Sequence, residues 1–352
     1  MTRPSETDPE HPTRSSGAPV AGLVDAWKPS AGIEAIRARA ELLGRVRAFF
    51  AAAGVIEVET PILSRRAATD PALDSLALAA HLPGDAGEPI ARLYLQTSPE
   101  FPMKRLVAAG SGPIYQICKV FRDGERGRRH HPEFSLLEWY RPGWDADRLM
   151  EEVANLVRCV LQRPDLPVEP VTYRALFRDG LDLDPFTASD AAIRAVAIAA
   201  GIPDADHLDL ERDAWLDLLL THSLEPRLGR GRMSFLHDYP PSQAALARIR
   251  PARDDGPTVA ERFELYLDGI ELANGFHELV DPQEQAERFE RDLAERRRRG
   301  QAVVPADERL LAALTAGMPP TSGVALGLDR LLMIALDSRH IDEVLAFPIE
   351  IA

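Results

Sequence analysis

Cysteine is nearly absent from this chain. Its 352 residues include two, Cys118 and Cys159, too few for a disulfide framework, and no zinc-type Cys/His spacing occurs. That reads as a reducing, cytoplasmic setting. Long apolar runs are also missing. No stretch is long enough to cross a bilayer as a helix, and the N-terminus lacks the apolar core of a signal peptide. Glycine-rich phosphate loops of the Walker or Rossmann kind are absent, so any nucleotide must be held by other means. Basic excess is lacking too: the formal net charge is −14, which counts against a partner bound by bulk electrostatics, such as long nucleic acid. What is present is an ordinary soluble composition, 45% hydrophobic, enough to bury the core of one large domain or two small ones.

Residues 1–30 are rich in Pro, Ser, Thr and charge and read as a disordered tail, with residues 31–352 as the folded domain. Ile36, Ala40, Leu43, Val46 and Phe50 recur at helical spacing, with Gly54 as the stop. Ile56, Val58 and Thr60 alternate with Glu57 and Glu59, which predicts a strand ending at Pro61. Further strands are expected at 93–97, 114–121, 133–140 and 322–326, and helices at 146–163, 282–299 and 328–336. Residues 190–224 read as mostly helical, an insertion on the core. The run Arg296–Arg299 reads as the solvated end of a charged helix. Strands mix with helices without regular alternation, so the expected class is α+β with a mainly antiparallel sheet.

Three segments carry candidate chemistry. The first is Val120-Phe121-Arg122-Asp123-Gly124-Glu125 followed by His130-His131-Pro132-Glu133-Phe134. An arginine leaving a strand could clamp a phosphate with its planar fork; the plain alternative is a charged hairpin loop. The second is the hairpin around Asp268-Gly269, a strong two-residue turn signal. If Leu267 faces Ile270, Glu264 is a diagonal neighbour of Glu271, and the two carboxylates could hold Mg²⁺. Surface glutamates are the alternative. Strict alternation puts Glu271 and Asn274 on opposite faces unless a bulge falls near Asn274-Gly275. The third is Gly323-Val324-Ala325-Leu326-Gly327-Leu328-Asp329-Arg330, a strand turning into a helix. Gly327 would let a base or phosphate approach the backbone. Arg330 could neutralise phosphate charge or instead pair with Asp329.

In this order the segments resemble the three motifs of class II aminoacyl-tRNA synthetases: Gly54–Pro61 resembles motif 1, the dimer element, Phe121–Tyr140 motif 2 and Gly327–Arg330 motif 3. Within the class, Thr97-Ser98-Pro99-Glu100, His131-Pro132-Glu133-Phe134, Leu137-Glu138-Trp139-Tyr140 and Glu271-Leu272-Ala273-Asn274-Gly275 most resemble lysyl-tRNA synthetases. Only a short tail precedes motif 1, with no room for an anticodon-binding barrel. With residues 136–141 and 319–327, this looks like the elongation factor P lysine ligases, which share the synthetase core but transfer β-lysine to a lysine of a protein. Ala325 stands where lysyl-tRNA synthetases usually have glycine.

The resemblance implies the site residue by residue. Arg122 would bind the α-phosphate of ATP within the stretch Arg122, Asp123, Gly124, Glu125, and Arg330 the γ-phosphate, both as catalytic groups. His131 and Phe134 would hold or stack on adenine, with Leu272 and Gly327 lining the nucleotide through backbone. Glu264 and Glu271 would hold Mg²⁺. Glu100, Glu278 and Tyr140 would receive the substrate's amino groups beside Ser98, Pro99, Asn274 and Ala325, since a buried cation needs a paired countercharge. Two places depart from the pattern. Gly124 stands where glutamate is common, with Glu125 following, and His131 replaces asparagine yet can still donate a hydrogen bond.

The reading is therefore a ligase that activates (R)-β-lysine or lysine with ATP and transfers it to a lysine ε-amine of elongation factor P. It would work as a homodimer, without membrane or tRNA, with Arg126, Arg128 and Arg129 near the acceptor. A truncated lysyl-tRNA synthetase and a catalytically silent regulatory paralogue are the alternatives. Net acidity and Ala325 count against the first; retention of Arg122, Glu264, Glu271 and Arg330 counts against the second.

Overall fold

A computed structural model describes residues 27–80, 91–252 and 256–352, so the tail read over residues 1–30 lies, as far as residue 26, outside the described residues. The elements are α1 (Ile33–Ala52), β1 (Ile56–Glu57), β2 (Leu63–Ser64), β3 (Ala77–Ala80), β4 (Ala91–Leu95), α2 (Glu100–Ala108), β5 (Ile114–Phe121), β6 (Glu133–Pro142) and α3 (Ala146–Leu161). There follow β7 (Val168–Thr172), α4 (Tyr173–Leu181), α5 (Asp190–Ala199), α6 (Arg212–Leu219), β8 (Met233–Tyr239), β9 (Ile249–Arg250), β10 (Val259–Leu267) and β11 (Ile270–His277). The chain closes with α7 (Pro282–Arg298), α8 (Glu308–Gly317), β12 (Thr321–Gly327) and α9 (Leu328–Ala335).

The main sheet runs β1-β5-β6-β12-β11-β10-β8-β7, with β9 also on β10. Its interior pairs are antiparallel, and β1–β5 and β7–β8 at the ends are parallel. This is the expected α+β class. A small sheet, β2-β4-β3, stands apart.

One face of the main sheet is the principal core. Alternation sends Leu137 and Trp139 of β6, Val324 and Leu326 of β12 and Phe263 of β10 to that face, where α1, α3 and α9 cover them. Phe50 stacks on Tyr115 at 4.4 Å and meets Trp139 edge-on at 5.4 Å. Burying each large apolar side chain is worth about 1.5–3 kcal/mol. Two buried carboxylates hold helices to this face. Asp329 at the start of α9 accepts from Arg39 of α1 at 2.5 Å and from the Ser135 amide at 2.6 Å. Glu152 of α3 accepts from Trp139 at 3.0 Å and from Arg141. Asp329 is therefore paired with Arg39 and not with its neighbour Arg330.

The helix expected before Gly54 forms, and Gly54 ends it at φ 65°. Its buried stripe is Ala35, Leu42, Val46 and Phe50, however, while Ile36 and Ala40 face out. The strand expected from Ile56 to Thr60 is shorter: β1 covers two residues, and the Val58 amide adds one bond to Tyr115 O at 2.8 Å. The helical region near 190–224 is seen as α5, α6 and a π-helical Leu220–Leu224. It packs Ile193, Trp215 and Leu219 with Tyr173 and Phe177 of α4 against Leu236 and Tyr266 of the sheet.

The arginine run that ends α7 is not uniformly solvated. Arg297, Arg298 and Arg299 are exposed, but Arg296 is 1% exposed. Its guanidinium donates to Asp70 O and Leu73 O at 3.0 Å and Ala302 O at 2.8 Å, and pairs with Asp74 at 2.6 Å. It pins the 70–74 loop, which helps wall the site. Because removing it orphans buried carbonyls, Arg296→Met is expected to destabilise the protein by about 2–3 kcal/mol in chemical denaturation. Arg297→Met is expected to change stability by less than about 0.5 kcal/mol.

Candidate active site

The face of the sheet opposite the core lines a cleft of about 1400 Å³. Into it point Leu136, Glu138 and Tyr140 of β6, Ala325 and Gly327 of β12, and Glu271, Asn274 and Phe276 of β11. The Asp268-Gly269 turn has both residues at positive φ, 54° and 70°, and the register is Leu267 to Ile270 and Tyr266 to Glu271, as the turn chemistry requires. The bulge lies two residues earlier than expected. Leu265 faces Ala273, so Leu272 is the extra residue and not Asn274 or Gly275. Leu272 and Ala273 both pack into the core, and Glu271, Asn274 and Phe276 share the cleft side.

At one end stands a wall of carboxylates. Glu138 is 2% exposed and accepts from Tyr140 Oη at 2.7 Å. Glu278 is 1% exposed. Lys104 of α2 lies 2.6 Å from both Glu100 Oε1 and Glu278 Oε2. Burial, with repulsion from Glu100, pushes both Glu138 and Glu278 up to about 8. Burial alone would lower the Lys104 ammonium; the two carboxylates beside it outweigh that and raise it. Glu138 Oε2 and Asn274 Oδ1 are buried without a partner among the described residues. Gly323 faces Tyr140 across the ladder, and a Cβ there would lie 2.4 Å from the Tyr140 ring and 2.5 Å from Glu278 Oε1. Ala325 sits in register between Asn274 and Glu138, so its methyl forms floor between these polar groups.

In the middle of the cleft, Arg122 leaves β5. Its guanidinium lies over the Phe134 ring at 5.0 Å and makes only long contacts, 3.4 Å to Thr97 O and 3.5 Å to Glu125. It is therefore held in orientation and paired only loosely, with Glu125. Arg330 is bound more firmly: Nη1 donates to Glu271 O at 2.9 Å and lies 3.2 Å from Glu271 Oε2, and Nη2 lies 2.7 Å from His130 Nε2. Burial and Arg330 both lower the His130 imidazole, which suits it as the neutral acceptor of this bond.

Glu264 accepts from Tyr266 Oη at 2.6 Å and from Arg262, which lies over the Tyr239 ring at 4.5 Å. Surrounding protein and the neighbouring Glu264 push the Glu271 carboxyl up, and Arg330 partly offsets this. Two carboxylates sharing a face and repelling each other fit one Mg²⁺, whose hard oxygen preference they match. Among the described residues no cluster of three or more His, Cys, Asp or Glu side chains could hold a metal, so water and phosphate oxygens would complete the set.

Some expected residues stand elsewhere. Pro99, Asp123 and Gly124 form no part of the cleft lining; Asp123 instead ties its amide to Asp74 O at 2.8 Å, and Gly124 turns the loop at φ 77°. Glu125, not Gly124, faces the cleft. His131 is not free to donate to a base as expected: Nδ1 lies 2.6 Å from Glu133 O, and Nε2 accepts from the Ile349 amide at 2.9 Å. Of the three arginines in the motif 2 loop, Arg126 is bound by Glu350 and Asp342 and Arg129 donates to Gly269 O at 2.7 Å, leaving Arg128 exposed.

Residues 24–351 match the family described as tRNA synthetases class II (D, K and N). Proteins named elongation factor P--(R)-beta-lysine ligase are 47% identical over 326 residues in Vibrio vulnificus, covering 93% of this chain and 99% of the relative. The identity is 47% over 92% and 98% in Erwinia tasmaniensis, and 45% over 92% and 98% in Klebsiella pneumoniae. The chain belongs to this ligase family, within the class II synthetases. Four parts of the cleft region have no role in the sequence reading: Glu138 and Gly323, which stand inside quoted motif segments, and Lys104 and the Arg262–Tyr266 pair around Glu264, which stand outside them. For Glu138 the signal was present, since strand alternation places it on the Tyr140 face.

Two outcomes are expected. Gly323→Ala overpacks Tyr140 and Glu278, an effect of about 1–3 kcal/mol, and should weaken lysine binding in calorimetry by at least about tenfold with little change for ATP. Lysine binding should tighten as pH rises from about 7 to about 9, because protons held by Glu138 and Glu278 compete with the incoming ammonium groups and are released around pH 8. A flat profile would mean these carboxylates are already charged or do not meet the ligand.

Proposed function

We propose that this chain is an ATP-dependent ligase that activates (R)-β-lysine, or lysine, as an aminoacyl-adenylate and transfers it to a lysine ε-amine of elongation factor P. The observation that carries the reading is the placement, in one cleft, of a buried acidic wall beside a loosely held arginine. Glu100, Glu138 and Glu278 suit the two ammonium groups of a diamino acid, and Arg122 suits the phosphate that its carboxylate must reach.

In the first step the amino-acid carboxylate attacks the α-phosphorus and pyrophosphate leaves. Arg122 stabilises the charge that builds on the α-phosphoryl oxygens, and Phe134 keeps its fork in place. Arg330 reaches the γ-phosphate by exchanging His130 and Glu271 for phosphate oxygens. Glu264 and Glu271 are the residues that would hold Mg²⁺, which would supply positive charge against the pyrophosphate leaving group. In the second step the acceptor amine attacks the adenylate carbonyl and AMP leaves, forming the amide. The exposed Arg128 is the arginine of that loop available to the acceptor. Ala325 narrows the floor between Asn274 and Glu138, which fits a substrate whose amino group is displaced from the α-carbon.

The enzyme is read as a cytoplasmic homodimer. Ile33, Ile36 and Ile56, with Ile62 and Leu63, leave an exposed apolar set on α1, β1 and the start of the small sheet, which suits burial against a second copy. No helix among the described residues is long and apolar enough to cross a membrane.

The test is ATP–pyrophosphate exchange with lysine and with (R)-β-lysine, followed by transfer of labelled amino acid to elongation factor P or to total tRNA. Label on the protein is the expected result; label on tRNA would make this a minimal synthetase. Arg122→Ala should lower exchange by about 10²–10³-fold, the usual cost of removing one preorganised donor to developing charge, without changing thermal stability. Survival of exchange in that variant would remove Arg122 from the first step.

A further inference from the structure

Lys104 has no part in the reaction as described, yet it is the most deeply placed cation near the site. Its side chain is 1% exposed and forms no part of the cleft wall. It rises from α2 between Met103 and Val107, which are packed in a small apolar cluster with Tyr140. Its ammonium meets Glu100 Oε1, one turn earlier on the same helix, and Glu278 Oε2, just beyond β11, each at 2.6 Å. Both carboxylates, with Glu138 and Tyr140, do line the cleft. The cation thus stands behind the acidic wall, on the protein side, and the ligand arrives from the other side.

Charge matching follows from this arrangement. Three carboxylates, Glu138 and Glu278 buried and Glu100 partly so, would repel one another without a cation. One fixed ammonium offsets one of the three, leaving room for two more positive charges. A diamino acid brings two; an ordinary neutral-side-chain amino acid brings one. Lys104 also ties Glu100 on α2 to Glu278 at the end of β11, so it sets the spacing of the groups that meet those charges.

We infer that Lys104 is a positioning residue for amino-acid selection: a built-in counter-cation that spaces Glu100 and Glu278 and offsets one negative charge of the wall, so that the pocket accepts ligands with two ammonium groups. The inference rests on the lysine-class reading above.

The test compares wild type with Lys104→Met in ATP–pyrophosphate exchange, using lysine and (R)-β-lysine at several pH values. The expected result is a KM for the amino acid raised at least about tenfold, about 1.4 kcal/mol, with the KM for ATP moved less than about twofold. The pH at which amino-acid use becomes half-maximal should rise, because Glu278 then loses the neighbouring cation that favours its ionised form; a purely structural role would not move it. Should Lys104→Met not fold, the double variant Lys104→Met/Glu100→Gln, which deletes the pair together, is compared with Glu100→Gln alone, and the same direction is expected through Glu278. An unchanged amino-acid KM and pH profile, or equal losses for ATP and amino acid, overturns the role of Lys104 while leaving the ligase reading intact. Absence of exchange in wild type with either diamino acid overturns both.

Discussion

Between Leu265 and Tyr266 the register of β10 against β11 shifts by one residue, and the chemistry of the cleft depends on that shift. A strand of strict period two would put Glu271 on one face and Asn274, Phe276 and Glu278 on the other. With Leu272 extra, two consecutive apolar residues, Leu272 and Ala273, go to the core, and the polar set is gathered on the opposite side. The end where Arg330 meets Glu271 and the end where Glu278 meets Lys104 are then brought onto one surface. Gly275 belongs to the same device: a Cβ there would lie 2.4 Å from the Phe263 ring, so the strand can lie close over β10 only with glycine at this point.

The two arginines of the cleft illustrate how hydrogen-bond satisfaction divides labour. Arg330 is engaged at 2.7–3.2 Å with His130 and Glu271, so it links the motif 2 loop to β11 and shapes the site before any ligand arrives. Arg122 has only contacts of 3.4–3.5 Å and an aromatic face beneath it. Such a guanidinium keeps its orientation while its donors stay available, so little existing bonding is given up when phosphate binds. Donors that move little during reaction are the ones that stabilise developing charge best.

Much of this was legible in the sequence where a local rule sufficed. The Asp268-Gly269 turn set its own register, and the β5–β6 hairpin began and ended close to where its apolar pattern did. Motif resemblance picked out Glu100, Glu278, Arg122 and Arg330, which the fold brings into one cleft. What could not be read depended on distant chain. Lys104, one turn after Glu100, does not stand out, because an i,i+4 Glu–Lys spacing is ordinary on a helix surface; Glu278, just beyond β11, is what draws its ammonium into a buried cluster. Arg296 looks like one of four solvated arginines until the 70–74 loop is laid beneath it. In α1, Ile36 carries the same helical spacing as Val46 and Phe50, but the stripe that meets the sheet runs through Ala35 and Leu42.

His131 is the clearest case of a motif position whose bonding changed its meaning. Asparagine at this place has an amide with separate donor and acceptor, whereas a neutral imidazole has one of each. Here both are used inside the protein. Nδ1 lies 2.6 Å from Glu133 O, a contact to a carbonyl that fixes the proton on that nitrogen, and Nε2 must then be the acceptor for the Ile349 amide. The ring is 4% exposed, so water cannot replace either partner at low cost. The histidine therefore staples the C-terminal segment to the base of the motif 2 loop, a role reinforced by Glu350 and Asp342 on Arg126. Beside it, Phe134 and Gly327 line the cleft, with the Arg122 guanidinium over the Phe134 ring.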